Sequence, residues 1–182
     1  MSEELSAMTI AAEIRRVRQI RQYRPDPIPD DVLTELLEVA RWTGSSRNTQ
    51  PWHFVVLTDP ERLRQISEVR DAINWVATAP LAIAIVLDGR NESSEAYDEG
   101  RVTERLLVAA RFFGVGGGTA WFGNADQQAA AKRILGVPDG RTARSVVALG
   151  YPITAEDPRP NRAAGGRKPL AEIVSRERFG PG

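Results

Sequence analysis

Apolar residues follow a helical repeat at the start of the chain and again in three later segments. Ile10, Ile14, Val17 and Ile20 recur at spacings of four, three and three, which predicts one apolar stripe on a helix that ends near Tyr23. Three prolines follow it and favour an extended stretch. Further helices are predicted over residues 30–42, 94–113 and 126–135, and Asp59-Pro60-Glu61 predicts the start of another, with Asp as the cap and Pro at the first helical position.

Short apolar runs between these segments predict strands. Residues 81–87 contain no polar side chain, the pattern of a strand that is covered on both faces, and residues 53–57 and 146–150 predict two more strands. The glycine-rich residues 114–118 predict either a turn or a backbone segment whose N–H groups approach a ligand closely. The elements show no internal repeat or linker, so we predict one α+β domain over residues 1–182, with 152–182 as an extended arm.

Composition removes several classes of chemistry. The 182 residues include no cysteine and one histidine, which excludes thiol catalysis, disulfides and any metal site built on Cys or His ligands. The composition is still compatible with a magnesium site built only on carboxylates, although no motif predicts a metal. No apolar run approaches the roughly 20 residues of a membrane span, and the start lacks a signal-peptide pattern. We therefore expect a cytoplasmic protein with no membrane partner.

Charge is balanced overall but uneven along the chain. The 24 basic and 24 acidic residues give a net charge of zero, which argues against a general nucleic-acid binder. All the basic residues except Lys132 and Lys168 are arginine, whose planar guanidinium suits phosphate or carboxylate, although arginine-rich codon usage also explains the bias. Two basic segments, 15–24 and 159–168, contain no acid.

Two segments carry candidate binding chemistry. Arg21 falls close to the apolar stripe of the first predicted helix and Arg18 at its edge. The two converge on a bound anion if the helix persists, or are solvated or paired with distant carboxylates if it ends earlier. The polar loop 43–50 either binds a ligand or satisfies its own backbone. His53 is predicted to be a core or interface residue, and Asp98 and Glu99 are predicted to be solvated or to stabilise the helix dipole.

Together these segments resemble the FMN-dependent nitroreductase family. The matching motifs are RQIRQY at 18–23 with PIP at 27–29, ARWTGSSRNTQPW at 40–52, Ala79-Pro80, the glycine-rich turn, LGYP at 149–152 and RKPL at 167–170. The resemblance implies an α+β nitroreductase-like fold with a central mixed β-sheet flanked by helices. It also implies an intimate homodimer with FMN bound between the subunits and NAD(P)H as reductant.

The same resemblance implies roles for particular residues. Arg18, Gln19 and Arg21 would hold the flavin phosphate and the pyrimidine edge, and the backbone near Trp121 would face the N5 region. The other implied contacts are Ser45, Ser46 and Asn48 from the partner subunit, and Arg167 with Lys168 at the phosphate. Val17 and Gln19 depart from the family's Arg-Arg-Ser-x-Arg pattern, which shifts the expected phosphate contacts toward Arg18 and Arg167. No side chain is assigned as a catalytic acid or base.

The implied activity is a ping-pong reaction in which NAD(P)H reduces FMN and a small-molecule acceptor, such as a nitroaromatic or a quinone, reoxidises it. One alternative is a flavin- or deazaflavin-binding protein without turnover. A flavin-cleaving or deiodinase-type relative is another, although residues 88–97 offer Glu92 and Tyr97 but not the lysine of the deiodinase lid. The last alternative is a nucleic-acid-binding module that uses the two basic segments, 15–24 and 159–168.

Overall fold

An entirely apolar strand forms the centre of the sheet. The computed structural model describes residues 6–153 and 167–180, and in it all seven residues of this strand, Leu81–Leu87, are buried. Numbered along the chain, the strands are β1 Trp52–Leu57, β2 Leu81–Leu87, β3 Gly116–Trp121 and β4 Thr142–Gly150. They lie in the order β1-β2-β4-β3, and each neighbouring pair is antiparallel.

Helices cover both faces of this sheet. Their bounds are α1 Ala7–Arg15, α2 Asp30–Arg41, α3 Pro60–Ser67, α4 Glu92–Phe112, α5 Ala125–Leu135 and α6 Leu170–Ile173, with 3-10 turns at Ser46–Asn48 and Asp71–Thr78. One face packs Leu36 of α2 and Leu106 of α4 against Ile83 and Val147. The opposite face carries α3, α5 and the segment Asp71–Thr78. The sheet is therefore buried on both sides, as the run at 81–87 predicted.

Most predicted elements are confirmed, and their bounds agree closely where the local signals are strong. Asp59 caps α3 with Pro60 at its first position. The predicted α+β class is confirmed, but the sheet is more strictly antiparallel than the mixed sheet we expected. Its parallel pairing is the isolated bridge between Gln19 and Gly117. The glycine-rich residues 116–118 belong to β3 and are not a turn, because β4 satisfies their backbone groups.

The first predicted helix is shorter than expected. Helix α1 ends at Arg15, and residues 17–24 run extended along the sheet. This part of the prediction was wrong because tertiary pairing satisfies the backbone there: the Ile20 N–H donates to the Gly117 carbonyl and the Arg24 N–H to the Tyr151 carbonyl, both at 2.8 Å. Within α1, Ile10 and Ile14 are exposed, so the predicted apolar stripe does not face the core. The Glu13–Arg111 ion pair, at 2.6 Å, joins α1 to α4 and lowers the pKa of Glu13.

Three acidic residues on α4 are buried, which corrects the expectation that Asp98 and Glu99 are solvated. Glu95 accepts hydrogen bonds from the backbone N–H groups of residues 89–91, and Asp98 pairs with Arg101 at 3.5 Å. Glu99 accepts the Ser145 hydroxyl at 2.6 Å and the Arg144 guanidinium at 3.3 Å. Burial raises the pKa of Glu99 despite these partners. Periodicity alone missed the burial of Glu99 because its partners, Arg144 and Ser145, lie on β4.

Part of the predicted arm lies outside the described residues, namely 154–166. Residues 167–180 contain the four-residue helix α6, whose side chains are exposed. Among the helices of the described segments, none combines the length and apolarity that a bilayer span requires.

We expect Glu99→Gln to change how stability depends on pH. The folded state holds the Glu99 proton to a higher pH than the unfolded chain, so the wild type loses stability as the pH rises from the ordinary value of 4.5 through the raised pKa. The variant lacks this titration. Its melting temperature relative to wild type should therefore rise across that interval.

Thermal unfolding followed by circular dichroism at a series of pH values measures this difference. Glu104→Gln, at an exposed position of the same helix, controls for the loss of one carboxylate. A Glu99→Gln difference that stays constant with pH contradicts the prediction.

Candidate functional site

The candidate site lies where residues 19–21 pass along β3. The Ile20 N–H donates to the Gly117 carbonyl at 2.8 Å, and the Gln19 side-chain oxygen accepts the Thr119 N–H at 2.6 Å. Two hydrogen bonds therefore hold this segment in register with the strand. The basic residues Arg18 and Arg21 flank the attachment.

Glycines in β3 allow Ile20 and the Trp75 ring to lie close to the backbone of the strand on one of its sides. A Cβ at Gly118 would overlap the carbonyl oxygen of Ile20 and lie 2.8 Å from Cη2 of Trp75. A Cβ at Gly116 would lie 2.8 Å from Cγ1 of Ile20. Any larger residue at position 118 must displace backbone and ring together, so the local geometry of the site depends on this glycine.

Arg21 is half-buried against an aromatic ring. Its guanidinium carbon lies 5.6 Å from the centroid of Trp75. The Nε atom is buried and has no hydrogen-bond partner among the described residues, and no carboxylate there pairs with this side chain. A buried guanidinium donor without an acceptor is costly, and a bound ligand with oxygen or nitrogen acceptors would remove that cost.

Arg18 and Gln19 are more exposed than Arg21. Arg18 donates from Nη1 to the Arg15 and Val17 carbonyls at 2.6 and 2.8 Å. The Gln19 side-chain oxygen is engaged by Thr119. The structure thus brings all three predicted residues to one segment, but only Arg21 is stacked on a ring.

The polar loop after α2 has its own internal order. The Ser45 hydroxyl accepts the Gln50 N–H at 2.8 Å, and the exposed residues Ser46 and Asn48 lie in the 3-10 turn. Asn48 has a φ of 55°, and Arg47 and Gln50 are also in the left-handed region. Such conformations in residues other than glycine cost free energy and persist where the surroundings fix them.

Within one chain, this loop lies apart from Arg21. A Cβ at Gly44 would lie 2.8 Å from Nη2 of Arg101, and Arg105 donates to the Trp42 carbonyl, so the loop adjoins the middle of α4. Residues 16–18 follow α1, which is joined to Arg111. Along the helix axis, Arg101 and Arg105 lie about 15 and about 9 Å from Arg111. Arg21 itself packs on the other side of the sheet, beside Trp75.

Trp121 ends β3 and is 52% exposed. Arg70 lies over its ring at 5.1 Å and donates to its carbonyl at 3.3 Å. The remaining predicted phosphate contacts, Arg167 and Lys168, are exposed, and no hydrogen bond or ion pair between described residues connects them to Arg18 or Arg21.

Other candidates contribute less. His53 is exposed on the edge strand β1, so a core position for it is wrong and an interface position is the expectation that remains. Residues 6–153 and 167–180 contain no group of three or more acidic or histidine side chains arranged to hold a metal ion.

Sequence reasoning missed Trp75 and the particular role of Gly118. Trp75 lies in Asp71–Thr78, a segment too short and irregular for a periodic signal, so nothing in its neighbours predicts a contact with Arg21. The glycine run did indicate a close backbone approach as one alternative. Only the pairing of β3 with residues 19–21 identifies which glycine is required and what approaches it.

Comparison with known proteins assigns the chain to a family. The nitroreductase family profile matches residues 14–84, which include Arg18, Arg21 and the polar loop. A relative from Archaeoglobus fulgidus, provisionally named an NADH dehydrogenase/NAD(P)H nitroreductase, is 34% identical over 148 residues, which cover 77% of this chain and 83% of the relative. The chain belongs to the nitroreductase family.

Two further matches extend the comparison along the chain. A relative from Methanothermobacter thermautotrophicus with the same provisional name is 30% identical, over 85% of this nitroreductase-family chain and 82% of its own. The solved structure of a provisionally named nitroreductase in complex with FMN, from Desulfovibrio desulfuricans, has 25% identity and a TM-score of 0.79. That match covers 94% of this chain and 98% of the other. The similarity of fold therefore extends over nearly the whole chain.

We expect Gly118→Ala to destabilise this nitroreductase-family fold by more than about 2 kcal/mol, because the added methyl group overlaps the Ile20 carbonyl and the edge of Trp75. Urea unfolding measures the change.

Gly100→Ala is the matched control. A Cβ at Gly100, within α4, meets no atom within 4 Å, so this variant should gain about 0.5–1 kcal/mol from helix propensity. If the two variants were equally stable, the close approach at Gly118 would not be required.

Proposed function

We propose that this nitroreductase-family protein is an FMN-dependent oxidoreductase that uses NAD(P)H and passes electrons to nitroaromatic, quinone or similar small-molecule acceptors. The observation that carries the proposal is Arg21, whose buried Nε lacks an acceptor in the described part of the chain. Flavin phosphate and the pyrimidine edge of the ring both offer such acceptors. Family membership and the relatives' names support the choice of cofactor and reductant.

The residues present fit a flavin with acceptor groups at both ends. Arg21 offers an unpaired donor beside Trp75, and Arg18 presents an exposed guanidinium on the same segment. The Gln19 side-chain oxygen accepts the Thr119 N–H, and this hydrogen bond keeps residues 19–21 against β3. Arg167 and Lys168 would add positive charge at the phosphate, and the backbone near Trp121 would face the N5 region.

When bound, FMN supplies the ring that accepts hydride from NAD(P)H and then delivers electrons to the acceptor, in a ping-pong cycle. The protein's part is binding, orientation and electric field. A guanidinium at the pyrimidine edge stabilises the negative charge that a reduced flavin carries there. No side chain is required as nucleophile, which agrees with a chain that lacks cysteine.

We further propose that the working form is a homodimer. Helix α1 has no buried residue and exposes Met8, Ile10 and Ile14, while Phe112 and Phe113 are exposed at the end of α4 to which α1 is joined. Apolar surface of this kind is typical of a protein interface. A second subunit would also bring its Ser45, Ser46 and Asn48 toward the flavin, a contact that one chain does not make with its own Arg21 segment.

We expect the purified protein to be yellow, to release FMN, and to oxidise NADH or NADPH when a quinone or nitro acceptor is present. Arg21→Ala should weaken FMN binding by about tenfold or more, since a hydrogen bond to a charged group is lost. Visible absorption, mass spectrometry of the released chromophore and a fluorescence titration of the apoprotein provide the measurements.

Arg15→Ala is the control, because Arg15 is exposed at the end of α1, and its FMN affinity should stay within about twofold of wild type. Bound FMN without NAD(P)H oxidation by any acceptor favours the binding-protein alternative, and a released deazaflavin changes the cofactor. Reductive loss of iodide from an iodotyrosine favours a deiodinase-type activity. A colourless protein whose DNA affinity falls steeply with salt favours the nucleic-acid module.

Ile14→Glu should convert the dimer to a monomer and lower FMN occupancy together, because a charge buried in an apolar interface is costly. Light scattering on a sizing column should give the 20.0 kDa mass of one chain for this variant and twice that for wild type. Ala129→Glu, at an exposed position of α5, is the control and should leave both properties unchanged. A monomeric wild type that binds FMN fully contradicts the dimer proposal.

A further inference from the structure

We propose that Trp75 is a positioning residue for the flavin: its indole ring holds the Arg21 guanidinium in the orientation in which the free N–H donors reach the ligand. The inference rests on the proposed function and deepens it, since it explains how an arginine remains both ordered and unpaired. Trp75 acts through Arg21 and needs no contact of its own with the flavin.

The indole is itself fixed from several sides. The indole Nε1–H donates to the Ala72 carbonyl at 3.2 Å. The backbone of the same residue is also held, because the Trp75 carbonyl accepts the Thr78 hydroxyl at 2.7 Å. Its six-membered ring packs on the β3 backbone where Gly118 provides the space. The ring is also partly buried against the apolar layer formed by α3 and α5. A well-fixed indole ring therefore supports the guanidinium, and Gly118 determines how close that ring lies to the sheet.

Arg21 differs from the other arginines that lie over aromatic rings in the described part of the chain. Arg24 lies 5.2 Å from the Tyr151 ring but also pairs with Asp26 at 3.4 Å. The other two arginines also have a second partner besides the ring. Arg41 lies over Trp42 and pairs with Glu38. Arg70 lies over Trp121 and donates to the Trp121 backbone carbonyl.

The difference matters because the two kinds of partner occupy different parts of a guanidinium. A carboxylate takes the in-plane N–H donors and cancels the charge. An aromatic ring contacts the flat face and leaves those donors and the charge available. Trp75 thus orders Arg21 without neutralising it. This is the state that a site for phosphate or for a developing negative charge requires before its ligand arrives.

The test is an FMN titration of the full-length apoprotein in four single variants, with thermal unfolding of each apoprotein alongside. Trp75→Leu removes the ring and should weaken FMN binding about tenfold, within the range of a partly desolvated cation–π contact. Trp75→Phe keeps a ring and should stay within about threefold. Trp75→Met keeps apolar bulk without a ring and replaces the leucine variant if that variant does not fold.

The fourth variant, Tyr151→Leu, is the matched control because it removes the ring under Arg24, a guanidinium that already has Asp26. Its FMN affinity should remain within about twofold of wild type.

A double-mutant cycle separates positioning from a structural role. In an Arg21→Ala background, Trp75→Leu should change FMN affinity by less than about twofold, since the residue through which it acts is gone. Loss of the same factor in both backgrounds overturns the inference, as does wild-type FMN affinity in Trp75→Leu. A wild-type apoprotein that binds no FMN overturns the proposed function first, and the inference with it.

Discussion

Residues 19–21 lie against β3 at a separation that only glycine allows at position 118, and the candidate site depends on this contact. The Ile20 N–H and the Gln19 side chain bind the strand, while the edge of Trp75 fills the space that a Cβ would occupy. A strand with three successive glycines has weak intrinsic preference for extended structure. Its pairing with β4 and with residues 19–21 supplies the order that its own side chains do not.

Electrostatics at the site follow from what surrounds Arg21. Several other arginines in the described residues are paired with nearby acids, as in the Glu61 and Glu68 pairs of Arg64 and the Glu38 pair of Arg41. Arg21 meets an indole in place of a carboxylate. The protein therefore carries no net charge overall yet keeps a local positive group with free donors, which is the feature that a flavin site needs.

In the proposed homodimer, the other half of the flavin site would come from a second copy of the chain. The loop containing Ser45, Ser46 and Asn48 adjoins the middle of α4, away from Arg21. The exposed apolar residues of α1 and the end of α4 provide surface for association. Flavin binding and dimer formation would then be coupled, since a ligand that contacts both subunits stabilises their association by mass action.

The amino-acid sequence by itself determined the elements whose signals are local. The apolar run at 81–87, the Asp59-Pro60 cap and the helical repeats of α2, α4 and α5 each predict an element that the structure contains. The motifs around Arg18, Arg21 and residues 45–52 were sufficient for the family, because they combine specific residue types at fixed spacing.

Only the tertiary structure decided where α1 ends and what residues 17–24 do. Their apolar spacing of three residues favours a helix, and β3 and Tyr151 override that preference because they satisfy the backbone of an extended segment. The buried position of Glu99 and the stack of Arg21 on Trp75 were equally beyond the sequence, because their partners lie 46 and 54 positions away along the chain. Periodicity reports which face of an element is apolar, whereas long-range partners exist only once the chain has folded.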